Sequence, residues 1–324
     1  MDNNQAAKTC IACRSPQIEV SELMSTSRIA ECWIRTNGHG GQATADDIAN
    51  FVQQDIGADF VEILRCRSCK IEFANPARTW KSEHYPHEEH GLGWDHQEAL
   101  RVLRQLPKGS LLDIGCADGQ FLKLASDLGH TVTGVDFSVE DVAEARRRGF
   151  DAYVGDLSEG TPLVQKGKKF DVITMFQVIE HLEQPDELFN QIDRIAEPNG
   201  SFMVGCPSHL RYTRAYPHVD RIGRSDFWDY PPQHSLRWTP SALKAFLSRH
   251  GWQTTVTKFE PLAVLGAAAH LTALRGHGTE WYRNALGRRA VTGAWLFRLA
   301  LDRLGRLSSG IRLFAFAKRA AAPA

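Results

Sequence analysis

The sequence predicts an α/β fold: an open sheet of mainly parallel strands with helices on both faces. Two observations predict it. LLDIGCADGQFL, Leu111 to Leu122, reads as a buried strand that runs into a glycine-broken turn and then a helix. Twenty-one residues after Gly115, TVTGVDFS ends a second apolar strand on Asp136. A glycine turn at the carboxyl end of a first strand lets backbone approach a ligand closely, and open α/β sheets bind ligands there. An acid at the end of the second strand can accept both hydroxyls of a ribose. A nucleoside cofactor follows.

The remaining elements read in order. Ser110 to Ile114 is the first strand, and the helix after it, Gly119 to Leu128, stops at Gly129. Thr131 to Val135 is the second; Ser138 caps a helix over Val139 to Arg148 that stops at Gly149. DAYVGD is a third short strand, closed by Gly155 and Asp156. Asp171 to Phe176 is the fourth, and Pro185 opens the next helix, to Ile195. PNGSFMVGCP, Pro198 to Pro207, is the fifth. Thr239-Pro240 starts a helix over Ser241 to His250, with proline where its missing N–H costs nothing. Trp252 to Phe259 and Ile311 to Lys318 complete the strands.

The loop chemistry selects the cofactor. A dinucleotide fingerprint needs G-x-G-x-x-G, but Ala117 occupies the second glycine position and no third glycine follows. That weighs against an oxidoreductase. Asp113 and Asp118 would repel a pyrophosphate, yet they suit a ligand with an amino group and a positive sulfonium, as in S-adenosylmethionine.

These motifs resemble class I S-adenosylmethionine-dependent methyltransferases. D-x-G-x-x-x-G followed by G-V-D matches their first two motifs, and FDVITMFQVIEHLEQPDELF their fourth strand and following helix. The resemblance covers roughly residues 97 to 260. It implies a Rossmann-like seven-stranded sheet in the order 3-2-1-4-5-7-6 with the last strand antiparallel. It also implies a cofactor site of Asp113, Gly115, Cys116, Ala117, Gly119, Asp136, Phe137, Asp156, Leu157, Phe176 and Gln177.

Cys10-x-x-Cys13 and Cys66-x-x-Cys69 form two knuckle-like pairs, each followed by turn-compatible residues, Arg14-Ser15 and Lys70. Four thiolates in such pairs can close a tetrahedral structural zinc site. The 52 residues between the pairs exceed what a compact ribbon needs; Asp46 to Gln54 reads as a helix and Phe60 to Leu64 as a strand. Cys32 and His39 are alternative ligands, and four independent free thiols are the alternative to a metal. The segment resembles the zinc-binding amino-terminal domain of sugar C-methyltransferases, where zinc frames the substrate side without performing chemistry. The expected division is residues 1–77 as a zinc-ribbon-like domain, 78–96 as a linker and flap, and 97–324 as the methyltransferase domain, with substrate-side insertions at 207–238 and 261–310. His84, His87, His90 and His96 crowd the joint, but Pro86 and Gly91 break the phase that would align them on a metal. Tyr85 or Trp94 is expected to cap the cofactor.

Candidate chemistry lies at two Xaa-His pairs, Glu180-His181 and Gln233-His234. QVIEHL resembles the segment that in quinone-pathway O-methyltransferases helps place a divalent metal and the substrate; Gln177 replaces one acid of that pattern, which argues against a metal. In sugar C-methyltransferases a Glu-His pair stands where this chain has Gln233-His234, and the histidine is the base candidate. His181 packing beneath the cofactor and His234 packing in a lid, with Tyr212, Tyr216, His218, Trp228 and Tyr230, are the structural alternatives.

Thirty-eight basic against 38 acidic residues give a net charge of zero, which offers no global pull toward nucleic acid. No apolar run reaches the length of a membrane span, the polar start MDNNQAAKTC does not read as a signal peptide, and seven cysteines suit a reducing cytoplasm. Residues 261–324 hold ten Lys and Arg against two Asp and Glu, a net of +8. Trp295, Leu296, Leu299, Leu304 and Leu307 with Arg298, Arg303 and Arg306 read either as an amphipathic helix for an anionic membrane surface or lipid-linked acceptor, or as a substrate-domain helix packed on the core. The expected function is methyl transfer from S-adenosylmethionine to a small molecule: a sugar, glycan precursor or related metabolite. The alternatives are a quinone-type phenol O-methyltransferase and a non-catalytic cofactor-binding recruitment module. The expected location is cytoplasmic, with the inner membrane surface as the peripheral alternative.

Overall fold

The structure is a computed structural model that describes residues 9–30, 50, 54, 56–57, 59–79, 91–157, 163, 167–211, 230–231, 233–268, 292–301 and 310–320. Cys32, His39, Tyr85, His84, His87, His90, Tyr212, Tyr216, His218, Trp228, Arg303, Leu304, Arg306, Leu307 and nearly all of the expected helix at 46–54 lie outside the described residues.

Strands β1 (Ile18–Ser25), β2 (Phe60–Cys66) and β3 (Glu72–Asn75) precede helix α1 (Trp94–Leu103). Then come β4 (Ser110–Ile114), α2 (Gln120–Asp127), β5 (Thr131–Asp136), α3 (Val139–Arg147) and β6 (Asp151–Val154). The chain continues through β7 (Phe170–Phe176), a 3-10 turn (Ile179–His181), α4 (Pro185–Ile195), β8 (Ala196–Pro207), β9 (Leu236–Arg237), α5 (Pro240–Arg249), β10 (Trp252–Phe259) and β11 (Arg312–Arg319).

Seven strands form one sheet in the order β10-β11-β8-β7-β4-β5-β6, and β11 runs antiparallel between β8 and β10. That is the expected 3-2-1-4-5-7-6 arrangement. Because β4 lies between β5 and β7, in parallel with both, the loops after these three strands emerge side by side.

The sheet is buried on both faces, as parallel strands require. Ile173 and Met175 of β7 with Phe202 and Val204 of β8 join one cluster with Phe189, Trp238 and Phe246; Val172, Phe176 and Met203 face the other way, onto Leu103 and Phe121. Trp94, expected as a cofactor cap, is part-buried against this second cluster. The helix starts follow the sequence signals: Asp141 N–H donates to Ser138 Oγ at 3.1 Å, and Ala242 N–H donates to Thr239 Oγ1 at 3.1 Å.

The second sheet, β1-β2-β3-β9, takes its fourth strand from far along the chain: Glu72 pairs with Arg237 and Phe73 with Leu236. Cys10, Ala12, Cys66, Cys69, Ile71 and Phe73 belong to the same buried cluster as Trp238, Leu243 and Phe246. The cysteine-bearing segment therefore shares one core with the large sheet.

Gly205 shows how tightly the strand ends are packed. A Cβ there would stand 2.4 Å from Asp95 Oδ2 and 2.9 Å from Phe176 Cδ1. Gly205→Ala should lower stability by about 1–3 kcal/mol, the cost of overpacking a filled core; a urea midpoint equal to wild type would refute this packing.

Candidate functional site

Gly115, Ala117 and Gly119 all have positive φ, at 78°, 45° and 84°. Gly115 has a steric reason as well, since a Cβ there would come within 2.4 Å of Val178 Cγ2. The loop after β4 thus lies directly against the loop after β7.

Asp136 fixes this loop. Its Oδ2 accepts from Ala117 N–H and its Oδ1 from Ser138 N–H, both at 2.9 Å. A carboxylate at this place can also accept from ribose hydroxyls. Phe137 beside it is exposed, at 59%, a flat apolar face next to the expected ribose position. Gly155 closes β6 against β5 through a bond from its N–H to Asp136 O; Asp156 is exposed and Leu157 buried.

The other expected cofactor residues take different surroundings. Asp113 is buried and receives Thr174 Oγ1–H at 2.6 Å. Burial, reinforced by the Asp136 charge and opposed by the Thr174 hydrogen bond, pushes its carboxyl up to about 8. Cys116 is buried beneath the loop, and burial with the Asp113 charge raises its thiol far above the ordinary value, so it is inert packing. Gly134 makes room for it: a Cβ there would lie 2.5 Å from Cys116 Sγ. Phe176 turns into the core, its ring 5.0 Å from Phe121 and 4.4 Å from His96.

Gln177 adopts φ 55°, its N–H bonded to Gly205 O, and its amide donates to Asp95 Oδ2 at 2.8 Å. Asp95 escaped the sequence reading. Burial raises its carboxyl, but His96, Arg312 and Gln177 more than offset this and hold it below the ordinary range. Its only sequence signal is an acid in the first turn of a helix, which ordinarily marks an exposed position. This anchor commits Gln177 to the inside of the fold.

Glu180, His181 and His234 come together from two segments. Their potential ligand atoms lie within 4.8 Å of one another, and the two imidazole rings meet edge-on at 4.8 Å. His181 Nδ1 lies 2.6 Å from Gln233 O. A carbonyl only accepts, so Nδ1 carries the proton and Nε2, 3.9 Å from Glu180 Oε1, presents a lone pair. Burial, with the neighbouring His234, pushes His181 down to about 3, so it is neutral at physiological pH. Three such groups can orient an acceptor and take its proton, or hold a divalent cation.

The four cysteines converge as well. Cys10 Sγ is 3.5 Å from Cys69 Sγ and Cys13 Sγ is 3.6 Å from Cys66 Sγ; all four sulfurs lie within 4.8 Å of one another. A tetrahedral zinc site with Zn–S of about 2.3 Å spaces its sulfurs about 3.8 Å apart. Arg14 and Lys70, each the residue after a pair, have φ of 61° and 63°, and Cys13 N–H and Cys69 N–H each point to the first sulfur of their own pair at 3.5 Å. The donor set fits zinc in a closed, structural site.

Residues 92–257, just over half of the chain, match the family described as "Methyltransferase domain". The mitochondrial ubiquinone biosynthesis O-methyltransferase of Arabidopsis thaliana is 28% identical over 163 residues, 49% of this chain and 45% of that protein. Its counterpart from Azorhizobium caulinodans is 28% identical over 171 residues, 52% and 61% of the two chains. The dTDP-3-amino-3,6-dideoxy-alpha-D-glucopyranose N,N-dimethyltransferase of Streptomyces fradiae is 36% identical over 135 residues, 38% of this chain and 51% of that protein. The chain thus spans about half the length of the curated relatives it matches. An S-adenosylmethionine dependent methyltransferase from Mesorhizobium loti superposes on 70% of this chain and 99% of its own, with a TM-score of 0.46 and 22% identity.

Asp113 gives the site a pH signature. Between the ordinary aspartate value and about 8 the folded chain holds a proton there that the unfolded chain has released, so this group's effect on stability turns unfavourable as pH rises through that window. Asp113→Asn should remove that loss. The difference in unfolding free energy between variant and wild type should grow between pH 5 and 8, by up to a few kcal/mol. A difference that stays flat across those pH values would show that Asp113 ionises normally.

Proposed function

Because this chain belongs to the methyltransferase-domain family, we propose that it transfers the methyl group of S-adenosylmethionine to a small molecule, a sugar, glycan precursor or related metabolite. The observation that carries the proposal is the junction of two loops. The positive-φ turn at Gly115 touches Val178, and three residues further on His181 meets His234 and Glu180. A cofactor held in the first loop would face an acceptor held at the second.

When bound, S-adenosylmethionine supplies a methyl group already activated by its sulfonium. Asp136 would receive the ribose hydroxyls and Phe137 would lie along the adenine, while Asp113, which keeps its proton to about pH 8 here, would ionise beside the cofactor's positive groups. His234 would take the acceptor's proton; imidazole is the side chain that titrates near neutrality. His181, held neutral with Nε2 turned toward Glu180, would orient the acceptor. Zinc at the four cysteines would hold the substrate-side sheet and perform no chemistry.

The Streptomyces relative, named for an amino-sugar nucleotide, supports a sugar acceptor. The ubiquinone biosynthesis relatives support a phenol acceptor as the second reading, although Gln177, which stands in place of an acid, is drawn inward by Asp95. Release of S-adenosylhomocysteine in the presence of candidate sugar nucleotides or phenols separates the two. No release with any acceptor would leave a recruitment module.

Asp136→Ala should weaken S-adenosylmethionine binding by about 1.5–3 kcal/mol, the scale of losing hydrogen bonds to a charged group; calorimetry giving unchanged affinity would remove Asp136 from the site. His234→Ala should cut turnover by about 10²–10⁴-fold, the usual worth of general acid–base catalysis, with cofactor affinity unchanged. Near-normal turnover at saturating acceptor would assign the reaction to positioning alone.

A further inference from the structure

The segment that carries His234 is held from two sides. On one side, Ser235 N–H donates to Glu180 O, Trp238 Nε1–H donates to Ile179 O at 3.2 Å, and His181 Nδ1–H donates to Gln233 O. These bonds bind the segment to the turn after β7. On the other side, Thr239 Oγ1–H and Ser241 Oγ–H both donate to the carbonyl of Cys69, at 2.6 and 2.7 Å, and Ala74 N–H donates to Ser235 O. The Cys69 carbonyl belongs to one of the four converging cysteines. Its position depends on the knuckle turn, where Lys70 N–H bonds to Cys66 O.

Most of these groups are shielded from solvent, although Ser241 lies at the surface. Trp238, Ser235 and Thr239 are buried, as are Cys66 and Cys69. The knuckle and His234 are thus linked by a short run of backbone, residues 233–241, whose central part, Ser235–Thr239, is buried. Two hydroxyls converging on one carbonyl use both of its lone pairs, which fixes its direction as well as its distance.

We propose that Thr239 and Ser241 are positioning residues: by holding the Cys69 carbonyl, they make the metal state of the four cysteines set the geometry of the segment that places His234. Zinc would then act on the acceptor side of the reaction at a distance, through one carbonyl and two hydroxyls. The effect on turnover rests on His234 being the base of the proposed methyl transfer; the structural coupling does not.

The experiment measures amide hydrogen exchange in residues 233–239 and 177–182 of the full chain, with zinc bound and after removal by a chelator. Zinc removal should speed exchange in both segments by about 10-fold, the scale of losing one to two hydrogen bonds. Thr239→Val combined with Ser241→Ala should speed it similarly while still binding one zinc per chain, and should then respond little to the chelator. Its turnover should fall by about 10-fold or more, as misplacement of a reacting group does, with S-adenosylmethionine affinity unchanged. Ser241→Ala alone keeps the Thr239 cap on α5 and should show a smaller effect of the same kind, and Thr239→Ser should behave as wild type.

The proposal is overturned if the zinc-bound double variant exchanges like wild type over 233–239. It is also overturned if chelation loosens only residues 9–30 and 59–75, or if no zinc binds. Coupled exchange together with full turnover in His234→Ala would support the coupling and reject the base.

Discussion

The short ladder between β3 and β9 is the contact on which the arrangement of the whole molecule depends. Two residue pairs, Glu72 with Arg237 and Phe73 with Leu236, join a sheet built from the first quarter of the chain to a strand that lies just before α5. The pairing is reinforced where backbone bonds end. Arg237 is buried and donates to Glu72 Oε2 at 3.0 Å, its guanidinium lies 4.5 Å over the Tyr230 ring, and Tyr230 O–H donates to Glu22 Oε2 at 2.8 Å. Arg65 also donates to Glu72 Oε1, at 2.9 Å, so the buried carboxylate is held by two guanidiniums, and the register of a two-residue strand is specified far more strongly than its length suggests. That register sets the direction of residues 233–239 as they pass the turn after β7.

The acids around the glycine loop are handled in three ways, and the differences follow from what surrounds each. Asp136 is part-exposed and accepts from two backbone N–H groups. Asp95 is fully buried but ringed by donors and a guanidinium, so it remains ionised and serves as an internal anchor. Asp113 has one hydroxyl and another acid for company, and keeps its proton to about pH 8. A loop with one part-exposed carboxylate and one buried carboxyl that a nearby positive charge would ionise is suited to a cationic ligand. It would oppose a pyrophosphate.

The large sheet was readable because its signals are local. Apolar runs, a proline at the first turn of two helices, Ser138 and Thr239 as caps, and Gly115 and Asp136 in the loops each act within a few residues, and the strand order followed from the resemblance they carry. The convergence of Cys10 and Cys13 with Cys66 and Cys69 was readable for a different reason, since paired spacing marks a knuckle whatever separates the pairs. Asp95 was not readable: its partners Gln177 and Arg312 lie 82 and 217 positions away, and an acid at a helix start looks the same whether it faces water or the core. The capture of Leu236–Arg237 by β3 was equally hidden, because a two-residue strand has no period of its own. The Glu180–His181–His234 cluster was half visible. Each histidine stood out with its neighbour, but their meeting depends on that captured strand.

This division bears on where acceptor choice resides. The family match starts at residue 92, beyond β1, β2 and β3. Relatives similar to this chain are named for contexts as different as ubiquinone biosynthesis and an amino-sugar nucleotide. A cofactor loop common to such proteins carries little information about the acceptor. Outside the matched region lies the four-cysteine sheet, physically continuous with the segment before α5 through β9 and the Cys69 carbonyl. A side chain on that sheet and the imidazole of His234 are fixed in one frame, so the acceptor would be oriented by the part of the chain that the family match leaves uncovered.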